Sequence, residues 1–253
     1  MKLLNTLVIA GLMSSAALAD YTQELNWTFE LEAGGRISLE NINGDVEVTG
    51  QPGNTVEITA FKKAGTEEYL EQLEIIIEDS PSAIHIETEH PDSGIKGMFN
   101  WGRDNSGSVR FTLRVPETAD LDAIESVNGN VTISGVGGLV RAETVNGDVN
   151  VSELRGNAML ETVNGEIDAS FDKFAAGQKA NCETVNGRVV VNLPEDADVS
   201  VTAETINGGI DGDDFGLKVD KGFVGRDMEG DIGDGGGRLA LGTVNGAIKV
   251  RKN

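Results

Sequence analysis

A five-residue phrase, Glu-Thr-Val-Asn-Gly or a near copy of it, returns along the whole chain and limits what the chain can fold into more than any other feature. It reads ENING at 40–44, ESVNG at 125–129, ETVNG at 143–147, 161–165 and 183–187, ETING at 204–208, and GTVNG at 242–246 with Gly242 in the Glu place. From Asn128 the Asn of each copy follows at Asn146, Asn164, Asn186, Asn207 and Asn245, in steps of 18, 18, 22, 21 and 38 residues. Periods near 20 residues belong to stacked repeat architectures, in which one unit cannot bury its apolar face alone.

Aligning the copies gives each column a task. Two places before Thr stand Leu39, Ile124, Ala142, Leu160, Cys182, Ala203 and Leu241. Two places after Gly stand Val46, Val131, Val149, Ile167, Val189, Ile210 and Ile248. Both columns are expected to face the core. The Glu column alternates with the first and is expected to face water. Parity leaves open whether Thr or the following Val points inward, because the strand must bend there.

Asn-Gly between alternating runs is also a strong hairpin signal, so an antiparallel meander competes with a solenoid. In a meander, equivalent residues lie two strands apart and gain nothing from identity. In a solenoid they are neighbours at about 4.8 Å, so Asn amides can bond to one another up the stack. Repeated identity therefore favours an all-β, parallel β-solenoid (β-helix-like) of 18–22-residue repeats, with flanking N-terminal strands and one short helix. Gly is expected at the corner for a positive φ.

Residues 1–19 carry Lys2, an apolar run from Leu3 to Leu12, and a small-residue finish at Ala17-Leu18-Ala19, the pattern of a secretory signal peptide. The expected product is an exported protein, periplasmic or at the cell surface, with 19 basic residues against 42 acidic ones and a formal charge of −23. Such a charge repels phosphate backbones, so nucleic acid is not an expected partner. No later segment approaches the apolar length of a membrane-spanning helix. A single Cys, Cys182, allows no intramolecular disulfide, and its place in an inward column reads as a small core residue.

The remainder, 20–253, reads as one β-strand-repeat domain, with N-terminal strands and a loop over 20–115 and the regular stack over 116–253. A short helix is expected from Thr66 to Leu73, with Thr66 as its cap. A loop rich in Gly, Asp, Asn and Ser covers His90 to Ser108, and a Gly-rich excursion precedes the last copy.

These features resemble a bacterial family of exported β-strand-repeat proteins described as putative adhesins, a domain of unknown function. The resemblance rests on Gly44 to Val48, Leu113 to Pro116, the copies at 125–212, and above all Gly-Gly-Gly-Arg-Leu-Ala-Leu-Gly-Thr-Val-Asn-Gly-Ala-Ile at 235–248. It implies an extracytoplasmic β-solenoid with no established catalytic residues and no required cofactor. Its motifs are structural, and fold does not fix function.

Among candidate contact residues the outward Glu125, Glu143, Glu161, Glu183 and Glu204 come first. Carboxylates one rung apart lie about 5 Å from each other and repel by about 0.8 kcal/mol per contact even in bulk water. A stack of that kind invites a counter-ion such as Ca²⁺, a polyamine or a cationic polymer; the plain alternative is a solvated acidic face. Asp211, Asp213 and Asp214, with Asp231 and Asp234, form Asp-rich turns that match no calcium-loop spacing, and turn chemistry accounts for them equally. Phe99 and Trp101 place large apolar side chains in a polar loop, either to contact a glycan or protein or to cap the stack. His85 and His90 lack the spacing of a zinc site. No nucleophile elbow or phosphate loop occurs. The expected role is a non-catalytic envelope or cell-surface binding scaffold. The alternatives are a carboxylate-dependent polysaccharide-active enzyme and a periplasmic sensing or stress-response accessory protein.

Overall fold

The computed structural model describes residues 20–91, 107–222 and 225–253. The expected signal segment and the loop containing Phe99 and Trp101 lie outside the described residues. Two sheets, of ten and eleven strands, form the faces of a flattened β-solenoid. Each repeat supplies one strand to the eleven-stranded sheet, turns at Asn-Gly, and supplies a second strand to the other sheet. The repeat of Asn146, for example, consists of strands Val140–Asn146 and Val149–Leu154. Equivalent strands pair in parallel and in register, with Glu143 opposite Glu161, Thr144 opposite Thr162 and Asn146 opposite Asn164.

Both inward columns are buried as the alternation requires. Leu39, Ile124, Leu160 and Cys182 are fully enclosed on one side, and Val131, Val149, Ile167, Val189 and Ile248 on the other. Each fully buried aliphatic side chain contributes roughly 1.5–3 kcal/mol. Ile210, at the C-terminal end of the ten-stranded sheet, is only partly covered. Thr is the residue that turns inward at the corner. Thr144, Thr162, Thr184, Thr205 and Thr243 are buried, whereas Val127, Val163, Val185, Ile206 and Val244 are 37–51% exposed. The hydroxyl makes this arrangement favourable. Each Thr Oγ1 donates to the Gly carbonyl of the preceding rung at 2.9–3.0 Å, a bond that Val could not make.

The Asn side chains form a continuous ladder. Nδ2 of each donates to Oδ1 of the rung before it, from Asn128 to Asn43 through Asn146, Asn164, Asn186 and Asn245 to Asn207, at 2.8–3.0 Å. The corner glycines correct the expectation of a positive φ, which only Gly44 adopts. Gly129, Gly147, Gly165, Gly187, Gly208 and Gly246 are required by close approach instead. A Cβ on any of them would lie 1.6–2.1 Å from the carbonyl oxygen of the neighbouring corner glycine.

Spatial order departs from chain order at one place. The last copy, on strand Gly237–Asn245, lies between Lys179–Asn186 and Val199–Asn207 rather than at the end of the stack. The Gly-Gly-Gly run at 235–237 admits it. A Cβ on Gly236 would meet Asp198 Oδ2 at 2.5 Å, and one on Gly237 would meet Phe174 and Gln178 at 2.9 Å. At the other end the first copy, on strand Arg36–Asn43, is a full rung paired in parallel with Asp120–Asn128.

Antiparallel strands close both ends. Tyr21–Glu30 and Thr55–Ala64 extend the ten-stranded sheet, Glu74–Ser80 pairs with Ala83–Glu89 at one edge of the other sheet, and Arg226–Ile232 covers its far side. The helix is Glu67–Gln72, with Thr66 accepting from Tyr69 N at 3.2 Å as its cap. Gly165→Ala is expected to destabilise the protein by about 3 kcal/mol or more, through overpacking against the Gly147 carbonyl. Asn164→Ala removes two ladder bonds and should cost about 1–2 kcal/mol. Urea unfolding of the two variants checks the order, and a Gly165→Ala protein as stable as wild type would contradict the close-approach account.

Candidate functional site

In-register stacking converts the Glu column into a row. Along the eleven-stranded sheet the pairing runs Glu87, Glu40, Glu125, Glu143, Glu161 and Glu183, skips one rung at Gly242, and resumes at Glu204. Asp227 and then Asp220 continue it on the covering strands. Glu125, Glu143, Glu161, Glu183 and Glu204 therefore lie on one line. Like charges directly opposite one another in a sheet are destabilising, so this line is maintained against an electrostatic cost.

Beside the carboxylates run the exposed aliphatics Val127, Val163, Val185, Val244 and Ile206, with Ile42 and Val145 half-buried in the same column and the buried Thr column as the floor between them. The three columns bound a groove of about 770 Å³ from Glu143 to Glu204, closed at one end by Arg226 and Asp227. Arg226 is held there by a 2.9 Å bond from Nη1 to the Gly208 carbonyl. A smaller hollow of about 230 Å³ continues past Glu143 to Glu40 and Glu87. On the opposite flank of the row, Asp122, Arg141 and Met159 border a third hollow of about 330 Å³, with Arg141 paired to Asp122 at 3.3 Å.

Crowding alters two of the carboxyls. Partial burial, with Glu40 and Glu143 on either side, raises the Glu125 pKa above its ordinary value of 4.5. Partial burial, with Glu143 and Glu183 beside it, does the same to Glu161. Burial pushes the Cys182 thiol up to about 12, in keeping with a core filler rather than a nucleophile.

The Asp-rich turns do not converge. Asp211 accepts from Asp213 N and pairs with Arg251 at 3.3 Å, Asp214 accepts from Lys252 N at 3.2 Å, and Asp234 N donates to Asp198. Asp231 lies on strand Arg226–Ile232, opposite Ser200. Among the described residues no group of three or more His, Cys, Asp or Glu side chains is placed to hold a metal ion. His85 shares a 2.8 Å hydrogen bond with Ser38, and His90 is buried against Tyr69. No described helix is long and apolar enough to cross a membrane.

One element of the groove is not legible in the sequence. The aliphatic wall escaped because parity alone could not orient Thr and Val.

The architecture defines a two-sheeted β-solenoid repeat protein. A family model described as Toastrack DUF4097 matches residues 106–251, more than half of the chain, and the chain belongs to that family. By sequence, no curated protein matches. Among solved structures, a "putative cell adhesion protein" from Clostridium sporogenes ATCC 15579 is similar at 16% identity and a TM-score of 0.48, over 91% of this chain and 100% of that one. A "putative adhesin" from Bacteroides fragilis NCTC 9343 has 10% identity and a TM-score of 0.36, over 90% and 96%. A "putative lipid binding protein" from Parabacteroides distasonis ATCC 8503 has 12% and 0.33, over 89% and 96%. None of these likenesses carries a function to this chain.

The raised carboxyls give a signed prediction. A carboxyl whose pKa is higher in the folded state binds its proton more tightly there, so stability is greatest below the ordinary Glu value and falls as pH rises through the raised one. Glu161→Gln should therefore raise Tm at pH 7 by about 1–3 °C, from roughly 0.2–1 kcal/mol of relieved repulsion. The gain should vanish near pH 3.5. Thermal melts at the two pH values test this, and a lower Tm at pH 7 would show that the row is not repulsive.

Proposed function

We propose that the protein is a non-catalytic, exported binding scaffold of the cell envelope or cell surface, and that its contact face is the carboxylate row with its aliphatic wall. The in-register row carries the reading. Nothing in the fold needs it, because core, corner and ladder are complete without the Glu side chains, and its repulsion works against stability. A partner with positive charge and apolar surface recovers that cost on binding, by pairing the carboxylates and covering the exposed Val and Ile column.

The return of a carboxylate at one position of nearly every rung supports a scaffold over an enzyme. Acid–base cleavage of polysaccharides rests on two acids whose environments push their pKa values apart. Here successive Glu residues occupy equivalent positions one rung from the next, the two altered carboxyls, Glu125 and Glu161, are shifted in the same direction, and among the described residues the groove is lined by Glu, Thr and aliphatic side chains, with Arg226 and Asp227 at its end and no aromatic wall.

Replacing Glu143, Glu161 and Glu183 together by Gln should weaken binding by 10-fold or more, on the order of 1.4 kcal/mol, in a panel of immobilised glycans and envelope fractions run with and without Ca²⁺. Tm at pH 7 should hold or rise. Wild-type binding across the panel by the triple variant would refute the assignment of this face.

A further inference from the structure

The two sheets do not end together. Beyond the rung of Arg36–Asn43 the eleven-stranded sheet carries Ala83–Glu89 and Glu74–Ser80, whereas beyond the matching Val46–Gln51 the ten-stranded sheet carries Gly107–Pro116, Thr55–Ala64 and Tyr21–Glu30. Tyr21–Glu30 therefore overhangs the other sheet by one strand. Leu25, Trp27 and Phe29 lie opposite the buried Ala60, Ile58 and Val56 and so share their inward face, yet all three are only half-buried. The far edge of the strand is bare: it pairs with Thr55–Ala64 alone, and no backbone bond reaches Tyr21–Glu30 from another described segment. The remaining edges carry the features that stop sheets from joining, namely charge or brevity. Glu74–Ser80 presents Glu74, Glu78 and Asp79, while Val219–Lys221 and Ile210–Asp211 have three and two residues. Tyr21–Glu30 has ten residues in unbroken register, without Pro or Lys, and its charges are only Glu24 and Glu30.

We propose that this edge pairs with the same edge of a second copy, antiparallel about a twofold axis at Asn26, so that the ten-stranded sheets of two molecules become one. Charge selects the register, because like charges directly opposite one another oppose pairing. Centred on Glu24, the pairing sets Glu24 against its twin; centred on Leu25, it sets Asp20 against Glu30; centred on Trp27, Glu24 against Glu30. Centred on Asn26, no acid faces an acid. Glu24 then meets Thr28 and Glu30 meets Thr22 on the outer face, while Leu25 meets Trp27 and Gln23 meets Phe29 on the inner one. The half-buried Leu25 and Trp27 of each copy are thereby covered by the other. The overhang also keeps the acidic edges at Glu74–Ser80 apart, at three strand spacings or roughly 14 Å. One strand edge makes a small interface and both copies carry excess acid, so the pair is weak and is strengthened by salt. This inference is independent of the carboxylate row, which lies on the other sheet.

Sedimentation of the protein, expressed from its full sequence and taken to about 0.5 mM, should show a monomer–dimer equilibrium whose dimer share grows with salt. Asn26→Lys and Asn26→Asp each put two like charges on the axis, and each should weaken the dimer about 10-fold or more. Mixing the two variants should restore it as a heterodimer. Asn26 Oδ1 accepts from Thr59 Oγ1 at 2.7 Å, so either variant loses one bond within its own molecule, but a folding defect would not be repaired by mixing. In a Cys182→Ala background, Asn26→Cys should oxidise to a covalent dimer, since residues directly opposite across antiparallel strands lie about 5 Å apart. Thr28→Cys, about 14 Å from its twin in this register, should stay reduced. A wild type that remains monomeric in high salt would overturn the proposal and leave the edge to a strand of some other protein. So would a dimer that both single variants leave intact, or one that Thr28→Cys links as readily as Asn26→Cys.

Discussion

Everything in this structure depends on the hydrogen bonds that join one Asn-Gly corner to the next. At each corner three bonds cross between rungs, and they do not all run the same way. The Asn amide and the Thr hydroxyl donate toward the preceding rung, to the Asn146 side chain from Asn164 and to the Gly147 carbonyl from Thr162. The Gly N–H donates toward the following one, from Gly147 to the Asn164 carbonyl. Opposed donors and acceptors at fixed positions leave one register. A slip of a single residue would break all three and carry the core columns to the solvent face. Close approach of the corner glycines makes the same demand sterically, since only a residue without Cβ fits against the carbonyl beneath it.

Register then dictates the surface. Once Thr, Asn and Gly must align, Glu and Val align with them, and a charged line and an apolar line appear side by side without further specification. The one rung that interrupts the charged line is the inserted copy, whose Gly242 replaces Glu between Glu183 and Glu204. Insertion also means that Val199–Asn207 has its parallel neighbour only when the later strand Gly237–Asn245 is in place. Antiparallel strands cover both ends of the Glu-bearing sheet, which protects open edges that would otherwise pair with other chains.

Much of this was legible in the sequence, because repeated identity at Thr, Asn and Gly has value only when equivalent residues touch. The inward columns, the Asn ladder and the burial of Cys182 all follow from that, while the Thr66 cap follows from helix-capping preference alone. Other features were not legible, each for a physical reason. Alternation could not orient Thr against Val, since the deciding factor is a hydroxyl bond to a carbonyl of another rung. The step of 38 residues before Asn245 reads as a long excursion, and nothing local says that the chain doubles back to enter the stack one rung early. The glycines were assigned to a turn conformation because contact between backbones of different rungs leaves no trace in a single copy. Asn41 shows the converse, a departure from the repeat whose amide donates to the Val109 carbonyl of the other sheet, 68 residues away in the chain.

Register and insertion together are tested most directly by cysteine cross-linking at the exposed wall, in a Cys182→Ala background. Val185 and Val244 flank paired positions on adjacent strands, about 4.8 Å apart and within disulfide reach. Val185 and Ile206 lie two strands apart, about 9.6 Å, and out of reach. Mild oxidation should cross-link the Val185→Cys, Val244→Cys pair and leave the Val185→Cys, Ile206→Cys pair reduced. The opposite pattern would mean that the copies stack in chain order, and the account of how the carboxylate row is assembled would be wrong.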